Sequence, residues 1–304
     1  MDRRTFIKST LSASVLAASS AAAGRISPLL AGSNDAPVDL VAVRGGEPDV
    51  MFDRGIAALG GMRAFVSRGD KVVVKPNIGW DVTPERGGNT HPDLVARIIK
   101  QCYDAGAREV YVFDHTCDSW KNCYHTSGIE RAAKDAGAKV VPGNSESYYH
   151  PVVVQAGRTL TQAKEHELIL ESDVFINVPV LKSHSSARVT ISMKNLMGVV
   201  WDRGFWHSND LHQCIADFAT YRKPTLNVVD AYYVMKRNGP RGVSVEDVTT
   251  MKAQLLSTDI VAIDTAAAKL FGIEPAAVRH IQLAADRKVG RMDLDRLNIK
   301  RITV

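Results

Sequence analysis

An α/β fold with a mainly parallel sheet and helices on both faces is what the sequence predicts, on three observations. From residue 38 onward, short apolar runs rich in Val and Ile alternate with segments of helical periodicity, the pattern of right-handed βαβ units. Runs such as VVV (72–74) and VFINV (174–178) are continuous rather than alternating, as in strands covered on both faces. Several runs also stop abruptly at charged or amide residues, and the carboxyl edge of such a sheet is where ligands bind.

The N-terminus stands apart from that fold. MDRRTFIKS carries Arg3 and Arg4, then Phe6, Ile7 and Lys8, before the weakly apolar LSASVLAASSAAAG. A basic segment, a short apolar segment and small residues at a cleavage position are the layout of a twin-arginine signal peptide. Ala21 and Ala23 place the cut after Ala23. The apolar segment is too short and too rich in Ser to span a membrane. Residues 1–23 are therefore read as the signal, 24–37 as a linker, and 38–304 as one α/β domain. The expected location is the periplasm, or another compartment reached by this route, and the export machinery is an expected partner.

Strands are expected at Lys71–Lys75, Glu109–Phe113, Lys139–Val141, Val174–Val178, Leu226–Val229 and Gln254–Leu256. Helices are expected at Asp53–Val66, Pro92–Ala105, Gly128–Ala136, Asp210–Thr220, Asp259–Phe271 and Pro275–Ala285. Pro92 suits a first helical turn and Gly106 a helix stop. The less regular stretch 142–173 predicts a small antiparallel excursion.

Composition excludes some functions. The chain is 45% hydrophobic and 23% charged, ordinary for a globular protein. Without residues 1–23 its formal charge falls from +5 to +3, with 35 basic and 32 acidic residues. So small an excess, with no basic patch interleaved with aromatics, speaks against nucleic acid. Cys102 and Cys214 fall on apolar helix faces and read as buried. Cys117 and Cys123 share a polar loop at a spacing that fits a local disulfide or free thiols better than a metal pair.

The polar strand ends carry the chemistry. VVVKPN delivers Lys75 and Asn77; VYVFDH delivers Asp114 and His115. VFINVPVLKSH delivers Lys182 and His184, TISMKN delivers Lys194 and Asn195, and NVVDA delivers Asp230. A lone strand-end lysine is ordinarily a solvated loop residue, but in a parallel sheet these ends converge on one edge. Lys75, Lys182 and Lys194 would hold a carboxylate or phosphate with help from Asn77 and Asn195. His184, whose ordinary pKa lies nearest neutrality, is the expected general acid or base. Asp264 falls on or beside the buried stripe of its helix, so it either pairs with one of the lysines or caps a neighbouring loop.

Taken in order, VVVKPN (72–77), NTHPDLV (89–95), VYVFDH (110–115), SGIERAAKDAGAKVV (127–141), NVPVLKSH (177–184), TISMKNLMG (190–198), NVVDA (227–231), GPRG (239–242) and STDIVAIDTAAAKLFGI (257–273) resemble the family known as domain of unknown function 362. The resemblance implies site positions at Lys75, Asn77, Lys182, His184, Lys194, Asn195, Asp230 and Asp264. It supplies no activity. Many relatives carry ferredoxin-type cysteine clusters; this chain has no C-x2-C-x2-C run, which argues against a bound iron–sulfur cluster.

The expectation is an exported protein whose Lys/Asn/His/Asp pocket binds or acts on a small anionic molecule, with Lys182, His184 and Asp264 as candidate catalytic groups. Lys75, Asn77, Lys194, Asn195 and Asp230 are the candidate ligand-binding groups. One alternative is a metal- or redox-linked accessory protein using Asp114, His115, Cys117, His207 and His212. Another is a ligand-binding protein with no chemistry. The sequence identifies no cofactor.

Overall fold

The computed structural model describes residues 37–304. The signal and all but the last residue of the linker lie outside the described residues. The strands are β1 (Leu40–Arg44), β2 (Lys71–Pro76), β3 (Glu109–Val112), β4 (Lys139–Val140), β5 (Tyr149–Val153), β6 (Gln162–His166), β7 (Val174–Val178), β8 (Val180–His184), β9 (Arg188–Thr190), β10 (Leu226–Met235), β11 (Val248–Ser257) and β12 (Ile299–Thr303). The main sheet runs β12-β1-β11-β10-β7-β2-β3-β4, with β8 paired to β10 and β9 to β8. Most of its pairings are parallel; β11 runs antiparallel to both β1 and β10, and β9 antiparallel to β8. β5 and β6 form a separate antiparallel pair, within the stretch where an antiparallel excursion was expected.

The parallel centre is in register. Val72–Pro76 of β2 lies against Val174–Val178 of β7, and Lys71–Val74 against Glu109–Val112 of β3. Residues just beyond Pro76, Val112 and Val178 therefore leave the sheet at the same edge. Every residue of β7 is buried, because each face of the sheet carries its own core. Val73, Phe175 and Val229 face one core, packed by helices Leu211–Tyr221 and Ile260–Phe271. Val72, Val74, Ile176 and Val228 face the other, packed by helices Pro48–Ala58 and Pro92–Ala105.

Helix Pro92–Ala105 forms as its sequence directs. His91 accepts from the Asp93 amide, Pro92 opens the first turn, and Gly106, at φ 110°, closes the last. Its buried stripe is Leu94, Val95, Ile98, Ile99 and Cys102, and each large apolar side chain so buried contributes about 1.5–3 kcal/mol.

Two helices depart from expectation. The segment expected to be helical over Asp53–Val66 is helical over Pro48–Ala58, with a separate 3-10 turn at Met62–Ala64. Gly60 and Gly61 take φ of 96° and 83° between them, and only glycine enters that region freely. The segment Pro275–Ala285 divides into a 3-10 turn at Pro275–Ala277 and a helix at Arg279–Asp286.

The stretch after β7 also differs. Lys182 and His184 were expected in the loop beyond a strand end. They lie in β8, a second strand that starts after Pro179 and runs on beside β10. Proline ends the first ladder because it cannot donate to it.

Candidate functional site

Lys75, at the end of β2, is fully buried and yet fully occupied. Its ammonium donates to the carbonyl of Pro76 at 2.8 Å and to Asn195 Oδ1 at 3.0 Å. It also meets Asp114 Oδ1 at 2.9 Å, off the line of a good hydrogen bond. Asp114 Oδ2 accepts from the Ile78 amide at 2.7 Å. Burial lowers the pKa of Lys75, and the Asp114 carboxylate opposes the shift. Gly198 makes room for the pair: a Cβ there would come within 2.7 Å of Lys75 Nζ and closer still to Asp114 Oδ1.

A chain of carboxamides fixes the next layer. Asn227 on β10 accepts from Asn177 Nδ2 at 2.9 Å, and Asn177 Oδ1 accepts from Asn195 Nδ2 at 2.9 Å. Asn195 Oδ1 then accepts from both Lys75 and Asn77. That leaves Asn77 Oδ1 to receive Lys182 Nζ at 2.9 Å. Each amide's orientation is set by its neighbour, so the row presents an oxygen to each lysine it meets. Asn177 and Asn227 were missed from the sequence. Their signal was an amide inside an otherwise apolar run, in FINV and LNVV.

Lys182 contrasts with Lys75. Its side chain is 1% exposed, and its partners are Asn77 Oδ1 and the Gly88 carbonyl at 2.5 Å. Among the described residues, no carboxylate pairs with it. Burial, with smaller effects from neighbouring charges, pushes its pKa down to about 7. Lys194 has no hydrogen-bond or ion-pair partner among the described residues and remains partly open to solvent. Burial first, then the Arg203 and Lys75 cations, take its pKa to about 8. Arg203, a residue the sequence reading missed, donates to the carbonyls of His115 and Thr116 at 2.8 and 2.7 Å and meets Cys117 Sγ at 3.7 Å.

These groups line one cavity of about 60 Å³, together with Asn77, Trp80, Asp114, His115, Cys117, His184, Thr190 and Asn195. At about 30 Å³ per water in the liquid, that is the space of roughly two waters. The one carboxylate in the lining, Asp114, is engaged by Lys75. A far larger groove of about 700 Å³ runs between β5–β6 and Trp201–Trp206. Its lining is mainly apolar, and Lys164 there already pairs with Glu146.

The two lining histidines differ in tautomer. His184 Nδ1 accepts from the amides of Ser186 and Ala187, both at 3.2 Å, which leaves the ring proton on Nε2. Burial, then Lys194 and Lys182, push its pKa down to about 2. The sequence-based reason for making His184 the acid or base, a pKa nearest neutrality, does not hold in this setting. His115 lies 3.0 Å through Nδ1 from the Val200 carbonyl and stacks on Trp201. That contact requires an Nδ1–H donor and leaves Nε2 as an acceptor. Burial and Arg203 lower its pKa too.

The cavity thus gathers Asn77, Lys182, His184, Lys194 and Asn195, with Lys75 directly behind them. Asp230 and Asp264 lie outside it. Asp230 accepts from the His91 amide at 2.7 Å and the Tyr232 amide at 2.9 Å, and so fixes the start of helix Pro92–Ala105. Asp264 accepts from the amides of Ser192 and Met193 at 2.8 and 3.0 Å. Of the two roles open to it, Asp264 takes that of a cap, holding the short helix that carries Lys194 and Asn195. Its pKa is pushed up to about 7 by burial, against the lowering effect of those amides.

Cys117 and Cys123 are both free, the first exposed and the second buried. Among the described residues, His207 and His212 form no metal-holding group with Asp114, His115 and Cys117; His212 Nδ1 lies instead 3.0 Å from His280 Nδ1. Among the described residues, no group of three or more His, Cys, Asp or Glu is placed to hold a metal ion. No described helix is long and apolar enough to cross a membrane.

Comparison with known proteins gives the following. A family model described as "Domain of unknown function (DUF362)" matches residues 72–269. A thylakoid-associated protein of Synechocystis is 26% identical over 247 residues, covering 76% of this chain and 72% of its own. Among solved structures, the lactate racemase apoprotein of Thermoanaerobacterium thermosaccharolyticum aligns with a TM-score of 0.45 at 11% identity, over 71% of this chain and 54% of that one. A Thermotoga maritima protein aligns with a TM-score of 0.39 at 10% identity, over 79% and 60%. This chain therefore spans little more than half the length of either solved chain.

Proposed function

The chain belongs to the DUF362 family, and from that premise we propose that it binds and acts on a small anionic molecule in the cavity beyond β2, β3 and β8. One observation carries the reading: Lys194 and Arg203 face a cavity in which the one lining carboxylate is already taken by Lys75. Two cationic side chains without a counter-ion among the described residues, in a partly dehydrated site, are complementary to an anion. The cavity's size suits a carboxylate or phosphate head better than a nucleotide. Lys182, whose pKa is about 7, supplies a group able to take or give a proton near neutrality, and His115 Nε2 supplies an acceptor.

The reading of residues 1–23 as a twin-arginine signal supports a site of action outside the cytoplasm. Calorimetric titration of the wild type and Lys194→Ala with short carboxylates and inorganic phosphate tests the proposal. Binding by the wild type with a loss in the variant is expected; equal binding by both refutes it.

A further inference from the structure

Lys182 is arranged differently from Lys75. A lysine ammonium has three N–H donors, whereas the neutral amine has two donors and a lone pair. Lys75 has three oxygen neighbours, one of them a carboxylate. Lys182 has two, both neutral: the Asn77 amide oxygen and the Gly88 carbonyl. That set satisfies an amine and leaves its third tetrahedral position without a partner among the described residues. The Asn77 amide cannot turn to offer a donor instead, because its Nδ2 is committed to Asn195 Oδ1 at 2.9 Å. Lys182 also lines the cavity that Lys194 and Arg203 line. An amine and two cations share a space of about 60 Å³, roughly that of two waters. A ligand that reaches both must therefore carry its anionic group next to its reactive carbon.

From this geometry, and resting on the anion-site reading above, we propose that Lys182 Nζ is a nucleophile that forms an imine with the carbonyl carbon of a short 2-oxo acid, whose carboxylate is held by Lys194 and Arg203. The lone pair of Nζ attacks the carbonyl carbon, the carbon–oxygen π bond opens, and the oxygen takes a proton, giving a carbinolamine. Loss of a proton from nitrogen and of the hydroxyl as water then forms the carbon–nitrogen double bond. One water is released and no electron is gained or lost, so no redox partner is required. Desolvation beside other cations is the established way to keep a lysine amine unprotonated and reactive. The pKa of about 7 at Lys182 agrees with it.

Borohydride trapping on the full chain tests the proposal. The protein is incubated with pyruvate or glyoxylate, reduced, digested and mapped by mass spectrometry. The peptide holding Lys182 is expected to gain the mass of the oxo acid less one oxygen atom, ahead of all other lysines. Acetaldehyde, which has the carbonyl and lacks the carboxylate, is expected to label Lys182 poorly. Lys194→Met is expected to cut the oxo-acid adduct by about tenfold or more, the loss of one charge-assisted contact. Because the wild-type map identifies the modified residue directly, the result does not depend on a Lys182 variant folding. Calorimetric binding of pyruvate with no adduct at Lys182 overturns the nucleophile and leaves the anion site standing. Neither binding nor adduct overturns both. Adducts spread evenly over surface lysines also overturn the nucleophile.

Discussion

Replacing Lys182 with methionine is expected to remove a pH dependence from the folding stability of the protein. A lysine whose folded pKa lies below its unfolded value binds fewer protons in the folded state, so its penalty is greatest below the folded pKa and disappears above the unfolded one. For Lys182 that window runs from about 7 to the ordinary 10.5. At neutrality the fall of more than three pKa units corresponds to about 4 kcal/mol at roughly 1.4 kcal/mol per unit. The Met variant escapes that penalty but strands Asn77 Oδ1 and the Gly88 carbonyl, at about 1–3 kcal/mol each. The two effects nearly cancel near pH 7, so the slope is the informative quantity. Stability of the wild type relative to Lys182→Met is expected to rise by about 1.4 kcal/mol per pH unit through the window. Denaturant unfolding at several pH values, with m unchanged between the two proteins, measures it. A difference that stays flat from neutral to alkaline pH would show that Lys182 remains an ammonium in the folded protein, and the reasoning would fail.

Three further outcomes follow from the same geometry. Gly198→Ala is expected to destabilise the protein by about 2–4 kcal/mol, measured by denaturant unfolding, since its Cβ would overlap the Lys75–Asp114 pair. Asp264→Ala is expected to weaken anion binding although Asp264 does not line the cavity, because two backbone amides under Lys194 and Asn195 lose their acceptor; a stability loss of about 1–3 kcal/mol should accompany it. Iodoacetamide is expected to modify Cys117 first, since it is exposed while Cys102, Cys123 and Cys214 are buried. Short carboxylates should slow that labelling, because Cys117 lines the same cavity.

How much of this was legible in the sequence depended on what each residue had to oppose. The bounds of β7 and of helix Pro92–Ala105 were readable because fully buried runs, Pro92 and Gly106 act locally. β1 and β12 were not. LVAVR and IKRIT are short, and β12 is partly exposed, so neither stands out as an apolar run. β8 was hidden by Pro179, which resembles a strand end and is in fact a join between two strands. Lys75, Lys182 and Lys194 could be found because a charge that breaks an apolar run is conspicuous. Arg203, in WDRGFW, looks like any surface arginine, and only the packing of its short helix, Arg203–Ser208, beside His115 and Thr116 turns it toward the cavity. The pKa of His184 was beyond reach for a similar reason. It depends first on burial and then on Lys194 and Lys182, all of which the fold alone supplies.

The central claim is that the cavity holds an anion through cations that lack a counter-ion among the described residues, and Lys194 has no hydrogen-bond or ion-pair partner among them. Calorimetric titration of the full chain and of Lys194→Met with a short carboxylate near neutral pH tests this most directly. The wild type should bind one equivalent, and the variant should bind about tenfold or more weakly, as loss of a charge-assisted hydrogen bond of about 1.5–3 kcal/mol requires. Identical isotherms for the two proteins, or no binding by the wild type at millimolar ligand, would contradict it.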